Sequence, residues 1–167
     1  MTVVGLDTSG SPTADLVALV GFSIAVAVWW VYFGRYQSAP GGGAIARYVW
    51  AQMHLLIFVG ITAASVGVAF AAEAAAADLP VALADRLPLG AGVAAYLVAM
   101  GTIRAVTRRL DGVAVLRLAV AGVALVLSLA GFGLGPLPFV ALTAALVIAE
   151  ASIEMTRAGP VRTTHVA

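Results

Sequence analysis

Gln52, His54, Tyr96 and Glu150 are polar side chains that stand inside predominantly apolar runs. A histidine binds and releases a proton near neutrality, and a carboxylate at the same depth can share that proton. His54 follows Arg47 by seven residues, and Glu150 precedes Arg157 by seven. On the helical rise of about 1.5 Å per residue, both sit roughly 10 Å inside the boundary that the arginines mark. Gln52 lies slightly nearer that boundary. Tyr96, eight residues before Arg104, lies a little deeper. Trp29, Trp30 and Tyr32 reach the same layer at the end of the first apolar run, where amphipathic rings act as interfacial anchors. A carboxylate two turns into hydrocarbon is costly if charged and alone, so it is neutral, paired or facing a wet cavity. The expected partner of Glu150 is His54 or Gln52, in a hydrogen bond that is structural or belongs to a proton- or ligand-binding site. Glu154, one turn nearer the end, is expected to pair with Arg157 or Arg35 among solvated headgroups.

Other chemistry finds no residues to carry it. A single histidine with a carboxylate is too small a donor set for a metal. His165 stands in a polar tail, so no pair of intramembrane histidines is available for haem. There is no HExxH, and Gly41-Gly42-Gly43 lacks the lysine and the preceding strand of a phosphate loop. With no cysteine, disulfides and thiolate chemistry are excluded. No basic tract suits nucleic acid. The expectation is therefore no catalytic residue, no metal ligand and no cofactor.

The elements that place these residues are membrane helices. The chain has 167 residues, 62% apolar and 10% charged, with mean hydropathy +1.06. A soluble domain carries about 25% charged residues, so this chain cannot face water all round. About 20 apolar residues cross the hydrocarbon as a helix. Five runs qualify: Leu16 to Gly34, Val49 to Ala72, Leu89 to Val106, Val113 to Leu134, and Leu137 to Met155. They are continuously apolar rather than alternating, which excludes barrel strands. The fold class is all-α, a polytopic bundle of five transmembrane helices covering 16–156, with a polar N-terminal segment 1–15 and a polar tail 157–167. The Ala39-Pro40-Gly41-Gly42-Gly43 stretch breaks the first two spans, and Gly131 to Pro138 the last two. The long break Glu73 to Pro88 suggests a short surface helix between Pro80 and Pro88. The first fifteen residues lack the basic n-region of a cleaved signal, so the first span is expected to be retained.

All nine basic residues are arginine. Arg35 and Arg47 fall in the first connection, Arg104, Arg108, Arg109 and Arg117 in the third, and Arg157 and Arg162 at the C-terminus. Eight thus lie on one side and only Arg86 on the other, so the positive-inside rule puts the N-terminus outside and the C-terminus in the cytoplasm. The fourth span contributes only Ser128 and reads as a packing or lipid-facing helix. Small residues recur at helix-packing spacing, among them Gly60 with Ala64, Ala63 with Gly67, and Gly90 with Ala94.

Trp29-Trp30-Val31-Tyr32-Phe33, then Tyr48, His54, Gly60-Ile61 and Gly67, resemble the low-temperature-requirement A family of bacterial membrane proteins. Asp78-Leu79-Pro80, the span around Tyr96 and the Arg104 to Arg109 connection continue in that family's order. The resemblance runs from about Val26 to Glu154 and corresponds to the C-terminal half of a usual member. It implies a multi-pass protein of the bacterial cytoplasmic membrane linked to growth at low temperature, with no known reaction. On this reading the protein is not an enzyme, its surroundings are the lipid bilayer, and its partner is a second copy or another membrane subunit. The alternative is a small secondary transporter or proton-linked permeation subunit using His54 and Glu150. An intramembrane enzyme is the third reading and has no residue set behind it.

Overall fold

The computed structural model describes residues 10–35, 43–108, 111–131 and 133–157. Expectations for the Ala39 to Gly42 stretch, Arg109, Arg162 and His165 fall outside these residues, as do the side chains of Arg35, Arg108 and Arg157. Five helices follow in chain order: α1 Pro12–Arg35, α2 Ala44–Ala76, α3 Leu83–Arg108, α4 Gly112–Ala130 and α5 Pro136–Arg157. There is no strand among the described residues. Each helix is long and apolar enough to cross a membrane. The fold is the expected one, an all-α multi-pass membrane protein.

Local chemistry sets the helix ends. Ser11 precedes α1 and accepts the Ala14 N–H at 3.4 Å, Pro12 takes the first helical position, and Asp15 lies in the first turn. Hydroxyl cap, proline and early acid each suit the positive end of a helix. At 33 residues α2 is about 50 Å long, well beyond the hydrocarbon thickness of about 30 Å. It exceeds the expected Val49 to Ala72 at both ends. It stops where the Leu79 N–H reaches the Ala74 carbonyl at 2.9 Å and the Asp78 N–H reaches Ala75 at 3.3 Å. Asp78 takes the left-handed conformation, φ +53°, that closes this C-terminal motif, and Pro80 prevents any continuation.

One expected element differs. No separate surface helix lies between Pro80 and Pro88, because α3 begins at Leu83 and runs straight through Pro88. Proline there forfeits only the bond to the Ala84 carbonyl, close to a helix end where several donors are unpaired in any case.

The helices close into a ring. α3 is the most enclosed, with α2 on one flank and α4 on the other, and α5 returns to pack on α1 while touching α4 and α2. Lipid tails are as apolar as leucine, so close backbone approach rather than solvent exclusion drives helix pairing here. The α2–α3 seam shows it. A Cβ at Gly92 would strike the Gly60 carbonyl and the Ala64 backbone, and one at Gly60 would come within 2.7 Å of the Gly92 carbonyl. Gly60 and Ala64, paired by spacing in the sequence, thus face a third small residue across the seam. Gly92→Leu is expected to destabilise the bundle by at least the ~1–3 kcal/mol typical of overpacking. Gly122→Leu, whose Cβ would meet nothing within 4 Å, is expected to leave stability unchanged or raise it. Denaturant unfolding in mild detergent compares the two.

Candidate functional site

Antiparallel succession brings the C-terminal ends of α1, α3 and α5 together with the N-terminal ends of α2 and α4. The polar side chains gather at that end in two groups. Between α1 and α2, the His54 Nδ1 lies 2.7 Å from the Trp50 carbonyl and its Nε2 lies 3.1 Å from the Tyr32 hydroxyl. A carbonyl only accepts, so Nδ1 donates to Trp50, and both ring nitrogens are engaged. The Trp50 ring packs on the imidazole with centroids 4.2 Å apart.

The second group joins α3, α4 and α5 through Arg117, which lies in the second turn of α4 and is 3% exposed. Its Nη2 donates to Glu154 Oε2 at 2.6 Å, its Nε to Glu150 Oε1 at 3.3 Å, and its Nη1 to the Met100 carbonyl of α3 at 3.1 Å. Glu150 and Glu154 are one turn apart on α5, so one guanidinium fork reaches both. Arg104 of α3 stands 3.6 Å from Glu154 Oε1 and holds Asp111 from Nε and Nη2 at 2.9 and 2.7 Å. Asp111 also caps α4, accepting the N–H groups of Val113 and Ala114 at 3.2 and 3.0 Å. The Arg104 guanidinium, aided by the Ala114 N–H, holds the Asp111 carboxyl well below the usual carboxylate range. The result is an ionic chain, Asp111–Arg104–Glu154–Arg117–Glu150, running from a helix cap into the bundle.

Tyr96 of α3 stands between the groups. It is 1% exposed, donates to the Val28 carbonyl of α1 at 2.9 Å, and feels the charges of Arg117, Glu150 and Glu154. At the opposite end the buried Arg86 guanidinium donates to the Gly131 carbonyl, tying the start of α3 to the exit of α4.

The expected site residues are therefore distributed differently from their shared depth. His54 takes Tyr32 and Trp50, and Glu150 takes Arg117, in place of the expected bond between Glu150 and His54 or Gln52. Gln52 is exposed on the outer face of α2. Glu154, expected among solvated headgroups, is 3% exposed and held by Arg117 and Arg104. Arg117 itself lies not in the connection but inside the helix, so α4 is more than a packing element. Trp29 and Trp30 are about half exposed, at 56% and 51%, while Tyr32 turns inward to His54. The signal for Arg117 was present in the sequence: an arginine within an apolar run, facing two carboxylates at helical spacing on a later span. Among the described residues no group of three His, Asp or Glu side chains is arranged to hold a metal ion.

The fold and this cluster define a polytopic helical membrane protein with a charge network sealed between its helices. The family model for bacterial low temperature requirement A protein (LtrA) matches residues 2–151, and the chain belongs to that family. The match takes in all of α1, well upstream of Val26 where the sequence motifs begin. No curated protein and no solved structure matches the chain.

Removing one partner of a buried ion pair leaves an uncompensated charge and costs about 3–5 kcal/mol. Arg117→Ala is expected to destabilise the bundle by that amount. Combining Arg117→Met with Glu150→Leu and Glu154→Leu removes the buried α4–α5 part of the network, leaves the Arg104–Asp111 pair, and should recover most of the loss. Unfolding of the single and triple variants in the same detergent gives both values.

Proposed function

We propose that this chain is a non-enzymatic protein of the cytoplasmic membrane that serves as one unit of an assembly, meeting a second copy or a partner membrane subunit along α1 and α5. The carrying observation is a groove of about 510 Å³ between these helices, lined by Phe22, Val26, Trp30, Ile148 and Met155. Its polar groups are already engaged. Ser23 donates to the Val20 carbonyl, Ser152 to Ile148, and the Trp30 indole to Met155 Sδ at 2.9 Å. Such a surface offers shape and apolar contact, with its hydroxyl and indole donors already used within their own bundle, which favours another helix over a polar reactant. The proton-linked permeation reading rested on His54 acting with Glu150, and these side chains take different partners.

The proposed orientation keeps the N-terminus outside. With Arg117 counted inside the membrane, the sequence still assigns only Arg86 to one end and seven arginines to the connections and tail of the other. By the positive-inside rule that end faces the cytoplasm.

Single cysteines test both parts, because the chain has none of its own. Phe22→Cys is expected to crosslink in native membranes to a second copy or to a distinct subunit, told apart by mass, whereas Val126→Cys on the outer face of α4 is not. Failure of Phe22→Cys to crosslink would leave the assembly reading without support. A membrane-impermeant maleimide should label Asp78→Cys on intact cells and Ile45→Cys only after permeabilisation; the reverse pattern would invert the topology.

A further inference from the structure

Among the described side chains the ionic chain holds more carboxyl groups than guanidinium groups. It contains two guanidinium groups, Arg104 and Arg117, and three carboxyl groups, Asp111, Glu150 and Glu154. Geometry pairs them unequally. Arg104 grips Asp111 with two nitrogens, the closer at 2.7 Å, and Arg117 reaches Glu154 at 2.6 Å. These are lengths of full charge-assisted hydrogen bonds. Glu150 receives only the longer contact from Arg117 Nε, at 3.3 Å. Its second oxygen, Oε2, is buried and has no hydrogen-bond partner, in a side chain that is 0% exposed.

A second negative charge on Glu150 would lie one helical turn from Glu154 on the same face, where like charges repel. It would also have one oxygen stripped of both water and donors. Burying an ionised carboxylate that is incompletely hydrogen-bonded costs far more than burying its neutral acid. Asp111 has no such problem, because it is capped by two backbone N–H groups and reaches solvent. Glu154 keeps the best cation. The group left to accommodate the imbalance is Glu150.

We propose that Glu150 is a proton-binding site, its carboxyl carrying a proton on Oε2 in the resting bundle and releasing it to water when the cluster opens. The step is an acid dissociation: the O–H bond breaks, the electron pair stays on the carboxylate, and the proton leaves. The charged and titratable groups at this level of the bundle are Arg117 on α4, Glu154 on α5, Arg104 and Tyr96 on α3, Tyr32 on α1 and His54 on α2. His54 has both nitrogens engaged by Trp50 and Tyr32, and Tyr96 donates to Val28, so neither side chain contacts Glu150. After release, a charged Glu150 lies beside Glu154 and both draw on Arg117, while Glu154 also has Arg104. The α4–α5 contact, made largely through these long side chains, is the one that must then rearrange. Nothing in this requires a continuous path across the membrane, so the site is a proton switch rather than a pore.

The test uses the full chain in lipid nanodiscs. Infrared spectra at neutral pH are expected to show a carboxylic-acid C=O stretch that persists in Asp111→Asn and is absent from Glu150→Gln, a variant with the shape of the protonated acid. The folded state holds a proton that the unfolded state gives up, so stability falls as pH rises. The melting temperature of the parent chain should therefore drop relative to Glu150→Gln on going from neutral to alkaline pH. No carboxylic-acid band at neutral pH, or a band that survives Glu150→Gln, would overturn the proposal, as would melting temperatures of the two chains that run parallel across pH. If Glu150→Gln fails to fold, carbon NMR of the parent labelled at the glutamate carboxyls decides. One protonated resonance among the three glutamates is expected, and three carboxylates would refute it.

Discussion

A guanidinium cannot sit inside an apolar bundle unless carboxylates come to it, and Arg117 imposes that condition on three helices at once. An arginine at the centre of a span costs roughly 2.5–3.5 kcal/mol even by the most lenient scale, and Arg117, buried in the second turn of α4, bears part of that cost. The cost is met only if α5 presents Glu150 and Glu154 at the depth of the second turn of α4 and if α3 turns the Met100 carbonyl toward the same point. Those demands fix the rotation of α5 about its axis and the sliding of α4 along it. Arg104 then couples the network to Asp111 at the start of α4, so helix capping and ion pairing are parts of one structure.

Two kinds of adhesion divide the bundle. The α2–α3 seam is held by close backbone approach at Gly60, Ala64 and Gly92, and it needs no polar group. The helices that approach each other less closely, α4 and α5, are joined by long charged side chains that span the gap. Tyr96 and the Tyr32–His54 pair tie α1 and α2 into the same layer. The apolar α1–α5 groove lies outside both systems.

The five helices could be read from the sequence because hydrocarbon imposes a length and a composition on every span, and both are local properties. The end of α2 at Asp78-Leu79-Pro80 is likewise written in three adjacent residues. Pairing across spans is not local. His54 and Glu150 share a depth, but depth leaves the rotation of each helix open, and rotation decided that His54 meets Tyr32 while Glu150 meets Arg117. Arginines near span ends usually belong to the connection, and position alone puts Arg117 there. Its inclusion in the helix depends on Glu150 and Glu154, more than thirty residues later. Pro88 misleads for a related reason: as a breaker it signals an end, yet near a helix start it removes little.

The most direct test of the cluster is a carbon–nitrogen distance measured by solid-state NMR in lipid bilayers, with arginine labelled at its guanidinium nitrogens and glutamate at its carboxyl carbon. Assignment by Arg117→Met identifies the signal of interest. Dipolar contact between the Arg117 guanidinium and the Glu154 carboxyl at direct salt-bridge range is the predicted result. A dipolar signal unchanged in Arg117→Met, with Glu154 beyond reach of that side chain, would contradict the account of how these helices are held.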